Sequence, residues 1–375
     1  MPALLDTIDP DGLLEYSVVF TDRSLNHMSQ AFQQVMRDIS STLKEVYNGH
    51  SVALVPGGGT FAMESVARQF ARDRHALVVR NGWFSFRWSQ ILEAGGLSSE
   101  ATVMKARRVG NGATAPFAPA PIEEVTAKIR ELRPEIVFAP HVETSSGVIL
   151  PDDYIKALAA AAHEVGALMV LDCIASGCVW VDMLETGVDI LISAPQKGWS
   201  AQPSAGMVML SENARERIEE TQSDSFALDL KKWLQIMEAY ENGDHAYHAT
   251  MPTDALRAFR DTMLEMKDYG FGRLYNAQWE QGNAVRKMLA EKGVQSVAAE
   301  GFGAPGVVVS YTDDPDIQNG KKFAERGVQI AAGVPLQCDE GEGFSTFRLG
   351  LFGLDKLYHV EASVARLKAV VDEVL

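Results

Sequence analysis

Seven short apolar runs between residues 50 and 211 close on Gly, Pro, His or Asp, and several are followed by stretches of helical period, which is the pattern of an α/β chain. The runs are apolar at nearly every position rather than at alternate ones, as expected of strands buried on both faces of a mostly parallel sheet. After residue 211 the texture changes to charged helical stretches and then to two late strand-like runs with a closing helix. The sequence therefore reads as an α/β lobe on a seven-stranded, mostly parallel sheet, followed by a smaller C-terminal α+β lobe.

In chain order, the strand candidates are Ser51–Val55, Ala76–Val79, Ala101–Lys105, Ile136–Ala139, Ala167–Leu171, Asp189–Ser193 and Gly206–Leu210. Between them lie helix candidates Phe61–Arg72, Pro121–Leu132 and Pro151–Val165. The last opens with Pro151, whose missing N–H costs nothing there, and with Asp152 and Asp153 beside the positive helix end. Glu212 to Glu241 is charged and helical, and Asp254–Gly293 is a pair of helices around Tyr269-Gly270-Phe271-Gly272. Strands Gly306–Tyr311 and Ser345–Leu349 precede a helix near Val360–Val374. The expected division is an N-terminal segment of residues 1–30, a large domain of 31–254 and a small domain of 255–375, with no low-complexity linker between the lobes.

The 375 residues suffice for a large core plus a second lobe, and a net charge of −16 disfavours a general nucleic-acid binder. Three cysteines, Cys173, Cys178 and Cys338, are too few for a disulfide framework, which makes a reducing cytoplasm the expected location. No apolar run reaches membrane-spanning length, and the N-terminus has acidic residues where a signal peptide carries basic ones. No metal-ligand spacing and no nucleophile elbow is present, so neither a metal nor a serine hydrolase is expected.

Ligands of open α/β sheets collect beyond the carboxyl ends of the strands. Five such ends carry polar groups here: Gly57-Gly58-Gly59-Thr60, Asn81-Gly82-Trp83-Phe84, His141-Val142-Glu143-Thr144, Asp172, and Gln196-Lys197. Lys197 can form an imine with a carbonyl compound if its surroundings lower its proton affinity, or it is an ordinary snorkelling lysine. Asp172 ends an apolar strand and suits a cationic partner such as a protonated pyridine nitrogen, or caps the following turn. The glycine loop fits phosphate at a helix N-terminus without matching either nucleotide-binding pattern, and it also serves as a tight turn. Trp83 and Phe84 can cover a flat ring or pack in the core. Thr144 can donate to a ring hydroxyl, and the fork of Arg348 suits a substrate carboxylate.

These stations, in this order, resemble the class V aminotransferases among the fold-type I pyridoxal-phosphate enzymes, nearest the alanine-glyoxylate and serine-glyoxylate group. The likeness spans roughly residues 50 to 355. It implies Lys197 as the Schiff-base lysine, Asp172 against the pyridine nitrogen, Phe84 as the stacking ring and Thr144 at the phenolic oxygen. It further implies Gly58, Gly59, Thr60 and Gln196 at the phosphate, and Arg348 at the substrate carboxylate. Tyr247 and Thr250 match a segment that in the family reaches the phosphate of a neighbouring subunit, which implies a homodimer with shared active sites. The implied reaction moves an amino group from a small L-amino acid such as alanine or serine to a 2-oxo acid such as glyoxylate or pyruvate. The N-terminal stretch departs from the family's Gly-Pro-Gly-Pro opening. Arg23 and His27 stand there as candidate substrate-side residues, or as partners of surface carboxylates. Within the same fold, a lyase is the alternative chemistry; a desulfurase would need a nucleophilic cysteine, for which Cys338 is the candidate.

Overall fold

A computed structural model describes residues 13–375. The seven strands of the main sheet are β1 (Ser51–Pro56), β2 (Arg74–Arg80), β3 (Ser98–Lys105), β4 (Ile136–Pro140), β5 (Leu168–Asp172), β6 (Ile190–Ser193) and β7 (Ala205–Leu210), in the spatial order β1-β7-β6-β5-β4-β2-β3. All neighbours pair in parallel except β7, which runs antiparallel to both β1 and β6. Consequently β1 points the same way as the five parallel strands, and the loops after β1, β2, β4, β5 and β6 leave one edge of the sheet together. Strands β4 to β7 are buried along their whole length, which accounts for their unbroken apolar composition.

Helices alternate with most of the strands along the chain. Helix α1 (Gln30–Tyr47) precedes β1, while α2 (Gly59–Phe70) and α3 (Trp83–Gly95) begin just after β1 and β2 at the ligand-prone edge. Two bridge parallel strands: α4 (Ile122–Leu132) and α5 (Asp152–Glu164). The expected Phe61–Arg72 helix starts two residues early, at Gly59, so the glycine loop itself is the helix N-terminus. The charged region after β7 is less regular than its composition implies. A short helix, Glu212–Arg217, gives way to irregular chain before α6 (Leu230–Glu241).

Gly270, with φ of 106°, breaks the long helical stretch into α7 (Thr253–Tyr269) and α8 (Phe271–Glu291). Helix α7 packs on the large lobe: Leu256, Phe259, Met263 and Met266 join the main core, while Arg260–Asp38 (2.7 Å) and Lys267–Glu45 (2.6 Å) tie it to α1. The C-terminal region carries a three-stranded antiparallel sheet of β8 (Val307–Tyr311), β9 (Ala331–Ala332) and β10 (Thr346–Gly350), with β10 in the middle. A short α9 (Leu354–Leu357) and α10 (Val360–Val374) close the chain. The large parallel-sheet lobe and the smaller α+β region are thus both present, with β9 as an additional edge strand. Among the described residues, no helix is long and apolar enough to cross a membrane.

Candidate active site

Lys197 lies in the turn after β6, and the turn is held from below. The N–H of Ser200 donates to the Lys197 carbonyl at 3.0 Å, and that of Ala201 to the Pro195 carbonyl at 3.0 Å. Trp199 is fully buried among Tyr47, Trp180, Phe259 and Phe271, and its Nε1 donates to the Tyr47 hydroxyl at 3.3 Å. A Cβ on Gly198 would sit 2.1 Å from the Gly177 carbonyl oxygen, so only glycine lets the two turns touch. The lysine stem therefore leaves a rigid base. Its ammonium makes no hydrogen bond or ion pair among the described residues, and burial lowers its pKa against the opposing pull of Asp172.

Asp172 closes β5 one strand away and is 7% exposed. One carboxylate oxygen accepts the Ile174 N–H at 2.9 Å, and burial nonetheless pushes the carboxyl up to about 6. Lys197, Asp172, Phe84, Thr144, Thr60 and Gln196 are among the residues lining one cavity of about 210 Å³. The Lys197 ammonium is 5.7 Å from the Phe84 ring centroid. Thr144 Oγ1 is buried with no hydrogen-bond partner among the described residues, an unpaired donor at the wall of a polar cavity.

The phosphate-type loop opens onto the same cavity through Gly59 and Thr60. Among the described residues the N–H groups of Gly58, Gly59 and Thr60 donate to nothing, as the first turn of a helix leaves them. Arg87 reaches across from α3, its Nη1 donating to Thr60 Oγ1 at 2.9 Å and its guanidinium lying 5.2 Å from the Phe84 ring centroid. Arg348 comes from β10 of the small sheet. Its Nε donates to the Ala332 carbonyl at 2.8 Å, and its guanidinium carbon is 5.7 Å from the Phe84 centroid. Three cationic side chains thus gather around Phe84.

Glu143 is visible in the sequence only as part of a strand end, yet it organises this wall. Fully buried, its carboxylate accepts the N–H groups of Phe84 (3.2 Å), Ser85 (2.8 Å) and Ser145 (3.1 Å) and the hydroxyls of Ser85 (2.7 Å) and Ser145 (2.8 Å). It caps the N-terminus of α3 and so fixes where Phe84 stands. Gly82 makes this possible, because a Cβ there would lie 2.0 Å from Ser145 Oγ. Glu143→Ala leaves four donors without their acceptor, the Ser85 hydroxyl keeping the Gly82 carbonyl at 3.0 Å, and is expected to cost about 3 kcal/mol or more, read as a lowered midpoint in denaturant unfolding. An unchanged midpoint would show that the donors find other acceptors.

Four expected site residues lie elsewhere in the chain. Tyr247 and Thr250 are exposed and bond each other at 3.0 Å, outside the cavity. His27 is 6% exposed and packs in an aromatic cluster with Phe20, His245 and Tyr247, its ring centroid 5.4 Å from that of Tyr247. Arg23 is exposed and lies 3.8 Å from Asp22. His141, at the same strand end as Thr144, is a buried neutral ring: burial pushes it down to about 3, and its Nδ1 meets Ser176 Oγ at 2.7 Å. Cys338 is buried, with its thiol pushed up to about 12 by burial, which is the opposite of an activated nucleophile. Among the described residues no cluster of three or more His, Cys, Asp or Glu is placed to hold a metal.

The model of the aminotransferase class-V family matches residues 11–300. The chain belongs to the class-V aminotransferase family. Its relatives include the small subunit of a soluble hydrogenase of Synechococcus sp., 25% identical over 352 residues that cover 93% of this chain and 87% of that protein. Alanine–glyoxylate aminotransferase 1 of Saccharomyces cerevisiae is 25% identical over 332 residues, covering 83% and 82%. Among solved structures, alanine–glyoxylate aminotransferase from Nostoc sp. superposes with a TM-score of 0.77 at 23% identity, covering 93% of this chain and 88% of that one. The fold of this class-V family member is that of the fold-type I pyridoxal-phosphate transferases.

Proposed function

We propose that this protein is a pyridoxal-phosphate-dependent aminotransferase that moves an amino group from a small L-amino acid, such as alanine or serine, to a 2-oxo acid such as glyoxylate or pyruvate. The observation that carries the reading is the cavity shared by Lys197 and Asp172: an amine of lowered proton affinity and a buried carboxylate that forms no ion pair among the described residues. Pyridoxal phosphate fits the groups left open there. Its phosphate matches the uncommitted N–H groups of Gly58, Gly59 and Thr60, with Gln196 on the same side, and its ring oxygen matches the unpaired Thr144 hydroxyl. When bound, that cofactor supplies an electron sink for the pair of electrons released at the amino acid's α carbon.

The chain's own residues do the rest. Phe84 covers one face of the bound ring and limits its tilt. The Asp172 carboxylate accepts a proton-bearing ring nitrogen, which offsets the cost of its burial. Lys197 holds the cofactor in the resting enzyme. With an amino acid bound, the Lys197 Nζ would take the α proton as base and give it up as acid at the cofactor carbon two bonds away. Arg348 offers its guanidinium to the substrate carboxylate, which orients the C–H bond toward Lys197. Tyr247 and Thr250, exposed and outside the cavity of their own chain, are assigned to the phosphate end of a partner's site, which makes the enzyme a homodimer with shared active sites. Arg23 and His27, on the N-terminal segment, are retained as substrate-side residues.

Single amino acids mixed with holoenzyme in the absence of any 2-oxo acid test the reading. Transamination bleaches the visible cofactor band in one turnover, with one keto acid formed per site. Continued release of ammonia or sulfide without an acceptor would instead identify a lyase.

A further inference from the structure

A second cavity, of about 420 Å³, lies in the C-terminal region between α8, α10 and β10, away from the site around Lys197. Its volume is within the range of small-molecule sites, and its wall combines an aliphatic lining with a few polar groups, the composition such sites have. Val285, Leu349 and Leu367 are among the aliphatic residues. Gln281 is 1% exposed, and its Oε1 has no hydrogen-bond partner among the described residues. Lys356 and Arg366 also border the cavity. Lys356 is held by the Phe352 carbonyl (2.8 Å) and by Asp355 (3.1 Å), whereas Arg366 is exposed and makes no hydrogen bond or ion pair with another described residue.

Two short paths join this cavity to the Lys197 site. Side chains alternate across a strand, so Leu349 lines the cavity while its neighbour Arg348 is directed to the opposite face, toward Phe84. Beside Asp355 and Lys356, the Leu354 N–H donates to Ser200 Oγ at 3.1 Å, and the Ser200 N–H donates to the Lys197 carbonyl.

We infer that this cavity binds a small branched aliphatic acid carrying an amino or hydroxyl donor beside its carboxylate, and that its occupancy adjusts the position of Arg348. The aliphatic chain lies on Leu349, Val364 and Leu367, the carboxylate faces Arg366, and the donor meets Gln281 Oε1. Differential contact between occupied and free states across one strand is what such coupling needs.

The test titrates holoenzyme with 2-hydroxy-4-methylpentanoate, which has no amino group to give and no carbonyl to accept one. The methyl NMR signals of Leu349, Val364 and Leu367 are expected to shift, and Arg366→Glu is expected to weaken the apparent affinity about tenfold or more. Leu367→Phe, which fills the cavity without touching the charge, is expected to abolish the shifts. The ligand is also expected to change the KM of the amino donor at constant kcat, an effect lost in Arg366→Glu, whose activity without ligand matches the unsubstituted enzyme. Shifts confined to residues around Phe84, an affinity indifferent to Arg366→Glu, or no shift at millimolar ligand would each overturn the site. Binding with no transaminase activity would overturn the proposed reaction and leave the cavity standing.

Discussion

Lys197→Ala is expected to abolish the visible absorbance band of lysine-bound pyridoxal phosphate and to lower turnover by about 10²- to 10⁴-fold, the range set by loss of a positioned proton carrier. The effect is large because the amine has two duties at one atom: it holds the cofactor and it moves the α proton. The fold should tolerate the change, since the turn is held by Trp199, Gly198 and backbone hydrogen bonds rather than by the lysine head group. An unaltered circular-dichroism spectrum together with a lost visible band separates loss of chemistry from loss of structure. A small primary amine added to the variant is expected to restore part of the turnover, because it can carry the proton although it cannot anchor the cofactor. Retained band and turnover would remove Lys197 from the mechanism.

The sheet and the polar residues at its edge are legible because their signals are local. A strand buried on both faces is an unbroken apolar run, and the residues just after it meet whatever the sheet edge binds, so position marks Asp172, Thr144 and Lys197 as candidates while leaving a cap or a snorkelling lysine open. The helix Trp83–Gly95 gives no such signal. Its aromatic-rich start has a glycine cap and no acidic first turn; its cap is Glu143, whose bond to Ser85 spans 58 residues of chain. The same long-range bond hides the role of Glu143. Packing of α7 onto α1 likewise depends on pairs such as Arg260–Asp38 that no local pattern announces. Tyr247 and Thr250 mark the other limit: they bond each other outside the cavity of their own chain, and their place in the proposed site rests on the resemblance rather than on any local signal.

Asp172→Asn carries the second large effect, and it separates stability from catalysis. In the cofactor-free protein, burial raises the Asp172 carboxyl from its usual range to about 6, so the folded state holds this proton more tightly than the unfolded chain does. The associated stability is fully present below the unfolded carboxyl pKa of about 4 and is lost as pH rises through about 6. Above that pH the buried charge costs about 3 kcal/mol, since one pH unit of displacement corresponds to about 1.4 kcal/mol. Asparagine carries no charge to bury. Relative to the unsubstituted protein, cofactor-free Asp172→Asn is therefore expected to gain about 3 kcal/mol between pH 4 and pH 7, as read from urea unfolding at the two pH values. Bound cofactor should reverse the comparison, because the ring nitrogen then supplies the positive partner that asparagine cannot match. Turnover is expected to fall by a large factor in the same variant even as the cofactor-free fold gains stability. Equal pH dependence in the two proteins would show that Asp172 is ionised without cost, and that its place at the end of β5 has no bearing on a cationic ligand.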